Sequence, residues 1–246
     1  MMTDLATVMR KEWREYFAFG EGNRRTGLIG ILVLLFLFGL FLPYRIGQTM
    51  VGSPVAIVLY SFFFPFTLIS NIIADSIAGE RERHTLETLL ASRLSDRAIL
   101  LGKLSAAVGY SCAISLGSAL IGMVVANLNG DGSFQPYPAS AIVGIVLFAV
   151  LISLLFAGLG VLISLRASSV RQAQQAMGVA LIVFVMLPFL VYYALPGPAR
   201  QRFLAWLNAA NGGAVGLTLL AILIVADLLV VAAAFIRFQR ARLILS

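Results

Sequence analysis

The chain has a single cysteine, Cys112, and a single histidine, His84. One cysteine excludes an internal disulfide and any cysteine-based metal site, and one histidine excludes a histidine cluster. Charge is scarce as well. Only 12% of the 246 residues are Asp, Glu, Lys or Arg, against about 25% in a soluble domain. So few charges cannot coat a water-soluble protein of this size. A nucleotide-binding P-loop is also missing. That loop needs Gly-x-x-x-x-Gly-Lys-Ser/Thr. The one Gly-Lys, Gly102-Lys103, has Arg97 where the first glycine belongs and Leu104 where the hydroxyl belongs.

What is abundant is apolar surface. Hydrophobic residues make up 60% of the chain, and the mean hydropathy is +0.96. They come in long blocks separated by short polar segments. A bilayer core needs about 20 apolar residues per helix. Six stretches qualify: 27–44, 54–74, 104–126, 140–165, 176–195 and 213–236. The first follows 26 polar and charged residues, too long and too acidic a stretch for a signal-peptide n-region, so the N-terminus is expected to be retained.

Net charge is +7. In a soluble protein that would point to nucleic acid. Here the basic residues sit at the ends of apolar runs and report topology, so no nucleic-acid partner is expected. With the N-terminus inside, fifteen Lys and Arg fall on the cytoplasmic side. Only Arg45, Arg200 and Arg202 fall outside. This asymmetry predicts an even number of spans with both termini cytoplasmic. The expected fold is an all-α membrane protein, one transmembrane domain over residues 1–246.

Residues 1–26 form an N-terminal elbow in this reading. Within it Leu5, Val8, Met9, Trp13, Tyr16 and Phe17 follow helical spacing, with Asp4, Arg10, Lys11, Arg14 and Glu15 mostly opposite. That predicts an amphipathic interfacial helix, either a plain membrane anchor or an elbow feeding span 1. Outside connections are short, at 45–53, 127–139 and 196–212. The last holds Pro196-Gly197-Pro198 and a second amphipathic stretch with Arg200, Phe203, Leu204, Trp206 and Leu207. No convincing internal repeat is visible.

The loop at 75–103 is longer than a connector needs. It carries five basic and five acidic residues. Thr85 is placed to cap a short helix whose Leu86, Leu89 and Leu90 form one apolar stripe. Ser95 is a second N-cap, followed by Asp96, which suits the start of a helix dipole. The stripe has three candidate partners: lipid, the rest of the chain, or a second protein. A small apolar ridge ringed by charges has the anatomy of a docking surface.

The stretch from Glu80 through Thr85-Leu86-Glu87-Thr88-Leu89-Leu90 to Gly102-Lys103 resembles the signature of ABC-2-type exporter permeases. His84 stands where the family usually has glycine, and Arg93 stands near its usual proline. The resemblance extends to the whole plan of elbow, six spans and long first cytoplasmic loop. It implies a coupling helix between spans 2 and 3 that docks a separate ABC ATP-binding subunit through Glu80, Arg81, His84, Thr85, Leu86, Glu87, Leu89 and Leu90. It implies a second permease copy, identical or a paralogue, in the cell (inner) membrane. ATP and magnesium would be bound by the partner, so this chain needs no cofactor and no catalytic residue of its own.

Two further residues are candidates for a substrate path, Asn71 and Asp227. Asp227 is the one acid inside a span, about 13 Å from the cytoplasmic end of its helix at 1.5 Å per residue. Such a carboxylate usually faces protein or water, so it marks a path or makes a structural hydrogen bond. Small residues in span 3, among them Gly109, Ala113 and Gly117, predict close helix packing. A polar second cytoplasmic loop is expected around Ser168, Ser169, Gln172, Gln174 and Gln175. Two other functions stay open on the residues alone. One is a stand-alone channel or ion-coupled carrier, which would depend on Asp227. The other is a membrane scaffold or assembly protein.

Overall fold

A computed structural model describes residues 2–17, 24–51, 53–84, 93–128, 133–209 and 212–238. Among them the chain is helical, without strands. Helix α1 is Met2–Phe17. Helix α2 covers 24–46, interrupted by a π-helical stretch at Leu35–Phe41. Helix α3 covers 54–82, with π turns at Leu59–Phe63 and Asp75–Gly79. Then come α4 (Asp96–Leu128), α5 (Ala139–Ser164), α6 (Val170–Ala194), α7 (Gly197–Ala209) and α8 (Gly212–Arg237). Six of these, α2 to α6 and α8, are long and apolar enough to cross a membrane. Helices suit that setting because every backbone group bonds within its own segment.

The bundle is built on α5, which packs against α3, α4, α6 and α8. Its Phe156 and Val161 are fully buried beside Ile69 and Ile73 of α3, Leu104 of α4 and Met177 of α6. Helix α4 carries α1 and α2 on another side. Hydroxyls tie the apolar helices together: Ser111 and Ser153 meet at 2.7 Å across α4 and α5. Tyr60 of α3 donates to the Phe38 carbonyl of α2 at 2.9 Å. At the end far from α1, Asn127 closes a polar knot. Its carboxamide oxygen accepts from Gln48 at 3.2 Å and from the Gln135 N–H at 2.7 Å.

The outer faces are apolar, the reverse of a soluble protein. Leu32 and Phe36 on α2, Ile182 and Leu190 on α6, and Leu217, Leu228 and Leu229 on α8 are all exposed. Lipid is the solvent that fits such faces. Helix α6 begins earlier than its apolar run does. Ser169 caps it by accepting from the Gln172 N–H at 3.1 Å, and the Gln172 side chain accepts from the Ser168 N–H at 2.8 Å. This reciprocal cap turns Gln172, Gln174 and Gln175 into the first helical turns. The apolar run alone hid that start. Helix α7 occupies the predicted excursion before the last span. Arg200 donates to the Tyr193 carbonyl at 2.9 Å and lies over the Tyr192 ring at 5.2 Å.

Candidate functional site

The α1 end of the bundle is held by a buried charge cluster. Lys103, near the start of α4, is 1% exposed. Its Nζ lies 2.7 Å from Glu12 Oε1 of α1 and 3.1 Å from Glu80 Oε1 of α3. It also donates to Ser76 Oγ at 2.8 Å and to the Ser76 carbonyl at 2.9 Å. Ser76 Oγ in turn donates to Glu12 Oε2 at 3.3 Å, as does the Tyr16 hydroxyl. Lys11 reaches Glu80 Oε1 from the outside at 3.3 Å. Two cations thus face two carboxylates inside the cluster, and Lys11 also pairs with Glu15 at its exposed edge at 3.6 Å. A buried charge is tolerated only when paired in this way.

Electrostatics at its rim follow from the same geometry. Burial opposes the charge on Lys11, but Glu80, Glu15 and Glu12 outweigh it and hold the ammonium pKa above its ordinary value. Burial, with Glu12 beside it, pushes the Tyr16 hydroxyl up as well.

Why α1 sits here is legible in α4. A Cβ at Gly102 would come within 2.6 Å of Val8, and one at Gly109 within 3.3 Å of the Trp13 ring. The two glycines, seven positions apart, open a groove along α4 that takes Val8 and Trp13. One turn further, the Tyr16 and Tyr110 rings pack at 5.4 Å. Gly102 gives the close approach and Lys103 supplies the charge that Glu12 meets. Helix α1 is thus fastened to the bundle along α4.

The end of α3 is fastened too. Arg81 donates to the Ala167 carbonyl at 2.9 Å and the Leu165 carbonyl at 3.2 Å. It thereby satisfies carbonyls just after the C-terminus of α5. Glu82 accepts from the Val170 N–H at 3.2 Å, the first residue of α6. Its charge suits that helix start. Helix α3 then stops at His84, the only non-glycine residue with positive φ among the described residues (φ 56°). The His84 N–H bonds back to the Arg81 carbonyl at 3.1 Å. This is a left-handed helix C-terminus, a place glycine favours because it lacks a Cβ.

The predicted docking residues therefore divide. Glu80 and Arg81 are turned inward, onto Lys103 and onto the α5–α6 turn. His84 is exposed. Thr85, Leu86, Glu87, Leu89 and Leu90 lie outside the described residues, and with them the predicted leucine stripe. Asn71 sits on α3 and accepts from Gln174 of α6 at 3.2 Å. Asp227 lies far from this cluster, buried on α8 at 3% exposure. Glu12 was missed by the sequence reading. Its signal was there: it falls between Val8 and Tyr16, at i+4 and i−4, on the apolar face of α1.

Comparison with known proteins agrees with this architecture. The profile of the ABC-2 type transporter family matches residues 3–219, and the chain belongs to that family. The ABC transporter permease protein NatB of Bacillus subtilis (strain 168) is 26% identical over 151 residues, an alignment covering 56% of this chain. The matched stretch spans 39% of NatB's length.

Proposed function

We propose that this chain is the membrane permease of an ATP-driven ABC exporter. It docks a separate ATP-binding subunit through residues 84–92 and works beside a second permease copy in the cell membrane. The observation that carries the reading is the junction behind that segment. Helices α3 and α4, which flank it, are joined at Lys103 to each other and to α1. Arg81 and Glu82 extend the junction to α5 and α6. A push on 84–92 reaches the bundle through paired charges and close packing instead of a slack loop. The excess of basic residues at this end supports a cytoplasmic position for it, where ATP is available.

In this mechanism nucleotide and magnesium belong to the partner, and ATP binding closes the partner's subunits. The coupling segment moves with them. Helices α3 and α4 tilt, and a path opens between two permeases. Glu80 and Arg81 act from behind, fixing the segment's base. Leu86, Leu89 and Leu90 supply the apolar ridge that meets the partner.

The test is co-purification with any Walker-motif ATPase found encoded beside this gene, followed by Leu86→Asp and Glu87→Arg. Each is expected to abolish the complex and ATP-dependent activity while leaving the permease folded. If either change leaves both complex and activity intact, the docking role is wrong. A stand-alone carrier would bind no ATPase and would transport without one.

A further inference from the structure

Asp227 is the one described residue whose two carboxylate oxygens are both buried without a hydrogen-bond partner among the described residues. It lies in the apolar interior of α8, where no cap or ion pair accounts for it. Its side chain lines a cavity of about 390 Å³ between α5 and α8. Leu151 and Leu154 of α5 and Ile224, Leu228 and Phe235 of α8 form the walls. Leu228 is exposed on the outer face of the bundle, so the cavity is reached from the bilayer side. A lone carboxylate in such a wall is costly and marks a site by default.

We propose that this cavity binds a monovalent lipophilic cation, an amine or onium group carrying apolar substituents. Asp227 is the counter-charge. The wall chemistry selects that class. A bare metal ion exchanges its hydration shell for several oxygen ligands, and this wall offers a single carboxylate among leucines, isoleucine and phenylalanine. An alkylated cation has little hydration to shed and brings its own apolar surface to cover the leucines. The volume lies within the range of small-molecule sites. Such a molecule concentrates in the bilayer, from which the cavity opens. The inference rests on the transport reading above and names the substrate class for it.

The experiment is binding of tetraphenylphosphonium to the purified full chain in phosphatidylcholine nanodiscs. Tetraphenylborate serves as the same shape with opposite charge. No ATPase is present, so loss of docking and loss of this site are separate results. Saturable binding is expected, weakened about tenfold or more by Asp227→Asn and kept within about threefold by Asp227→Glu. Leu154→Trp keeps the carboxylate and fills the cavity, and it is expected to weaken binding as strongly. Tetraphenylborate is expected to be indifferent to Asp227. Equal phosphonium affinity in the wild type, Asp227→Asn and Leu154→Trp overturns the site, as does tetraphenylborate binding lost with either variant. Should Asp227→Asn fail to elute as a folded species, Leu154→Trp decides.

Discussion

Replacing Lys103 with methionine tests the cluster that joins α1, α3 and α4. Methionine keeps much of the side-chain length and removes the ammonium. Glu12 and Glu80 are then left facing each other, within about 6 Å because both touch the same nitrogen, at 2.7 and 3.1 Å. With an effective dielectric near 20, two like charges at that distance repel by about 3 kcal/mol. The loss is thus about 3 kcal/mol, in line with breaking other buried pairs. Lys11 still holds Glu80 from the rim at 3.3 Å, which makes this an upper figure. SDS-titrated unfolding in mixed micelles measures the stability. Trp13 emission, in a Trp206→Phe background, reports whether α1 has left its groove. Adding Glu12→Gln to Lys103→Met removes one of the two clashing charges and should restore most of the loss. A loss under about 1 kcal/mol, unchanged by Glu12→Gln, would refute the reasoning.

Three more outcomes follow from the same region. Gly102→Ala should loosen α1 by about 1–3 kcal/mol because its Cβ meets Val8 at 2.6 Å. Gly109→Ala, with 3.3 Å to Trp13, should come out close to neutral once the gain in helix propensity of about 1 kcal/mol is included; Trp13 emission ranks the two. His84→Gly should stabilise the chain by about 1 kcal/mol by relieving a left-handed residue, and His84→Val should destabilise it, both read by the same SDS titration. The pKa values of Lys11 and Tyr16 are raised when α1 is docked. Between their ordinary values near 10 and the raised ones, the detached helix gives up protons that the docked helix keeps. Docking is therefore fully stabilised below about pH 10 and weakens as pH rises above it, and Trp13 emission followed from pH 8 to 12 checks this. A shift that ran the other way would contradict the placement of these two side chains against Glu12 and Glu80.

Much of this protein was written in properties of single segments. Bilayer thickness sets how many apolar residues a span needs, so six spans could be counted from the chain. Gly, Pro and Ser at segment ends marked the turns. Ser95 was legible as a cap, and its Oγ accepts from the Ala98 N–H at 3.2 Å. The glycine expected before the leucine stripe also had a visible reason. Position 84 closes α3 in the left-handed region, which glycine enters without a Cβ penalty, and His84 occupies it under strain. The start of α6 was misplaced because apolar periodicity fades before the helix does.

Pairing between segments was not written in that way. Glu12 and Lys103 are 91 positions apart, and each looks like an ordinary interfacial charge in its own segment. Whether they meet depends on which faces of α1 and α4 come together, and that is decided by the space left at Gly102 and Gly109. Glu80 and Arg81 looked like charges offered to a partner. The fold turns them inward, because the end of α3 passes close enough to Lys103 and to the 165–170 turn for each to find an opposite charge or a free carbonyl there. Asp227 could be seen in the sequence as a carboxylate in a span. Only the packing of α5 on α8 decided that it would face a cavity with no partner among the described residues. Burial and pairing are properties of where surfaces meet, and a single segment does not contain them.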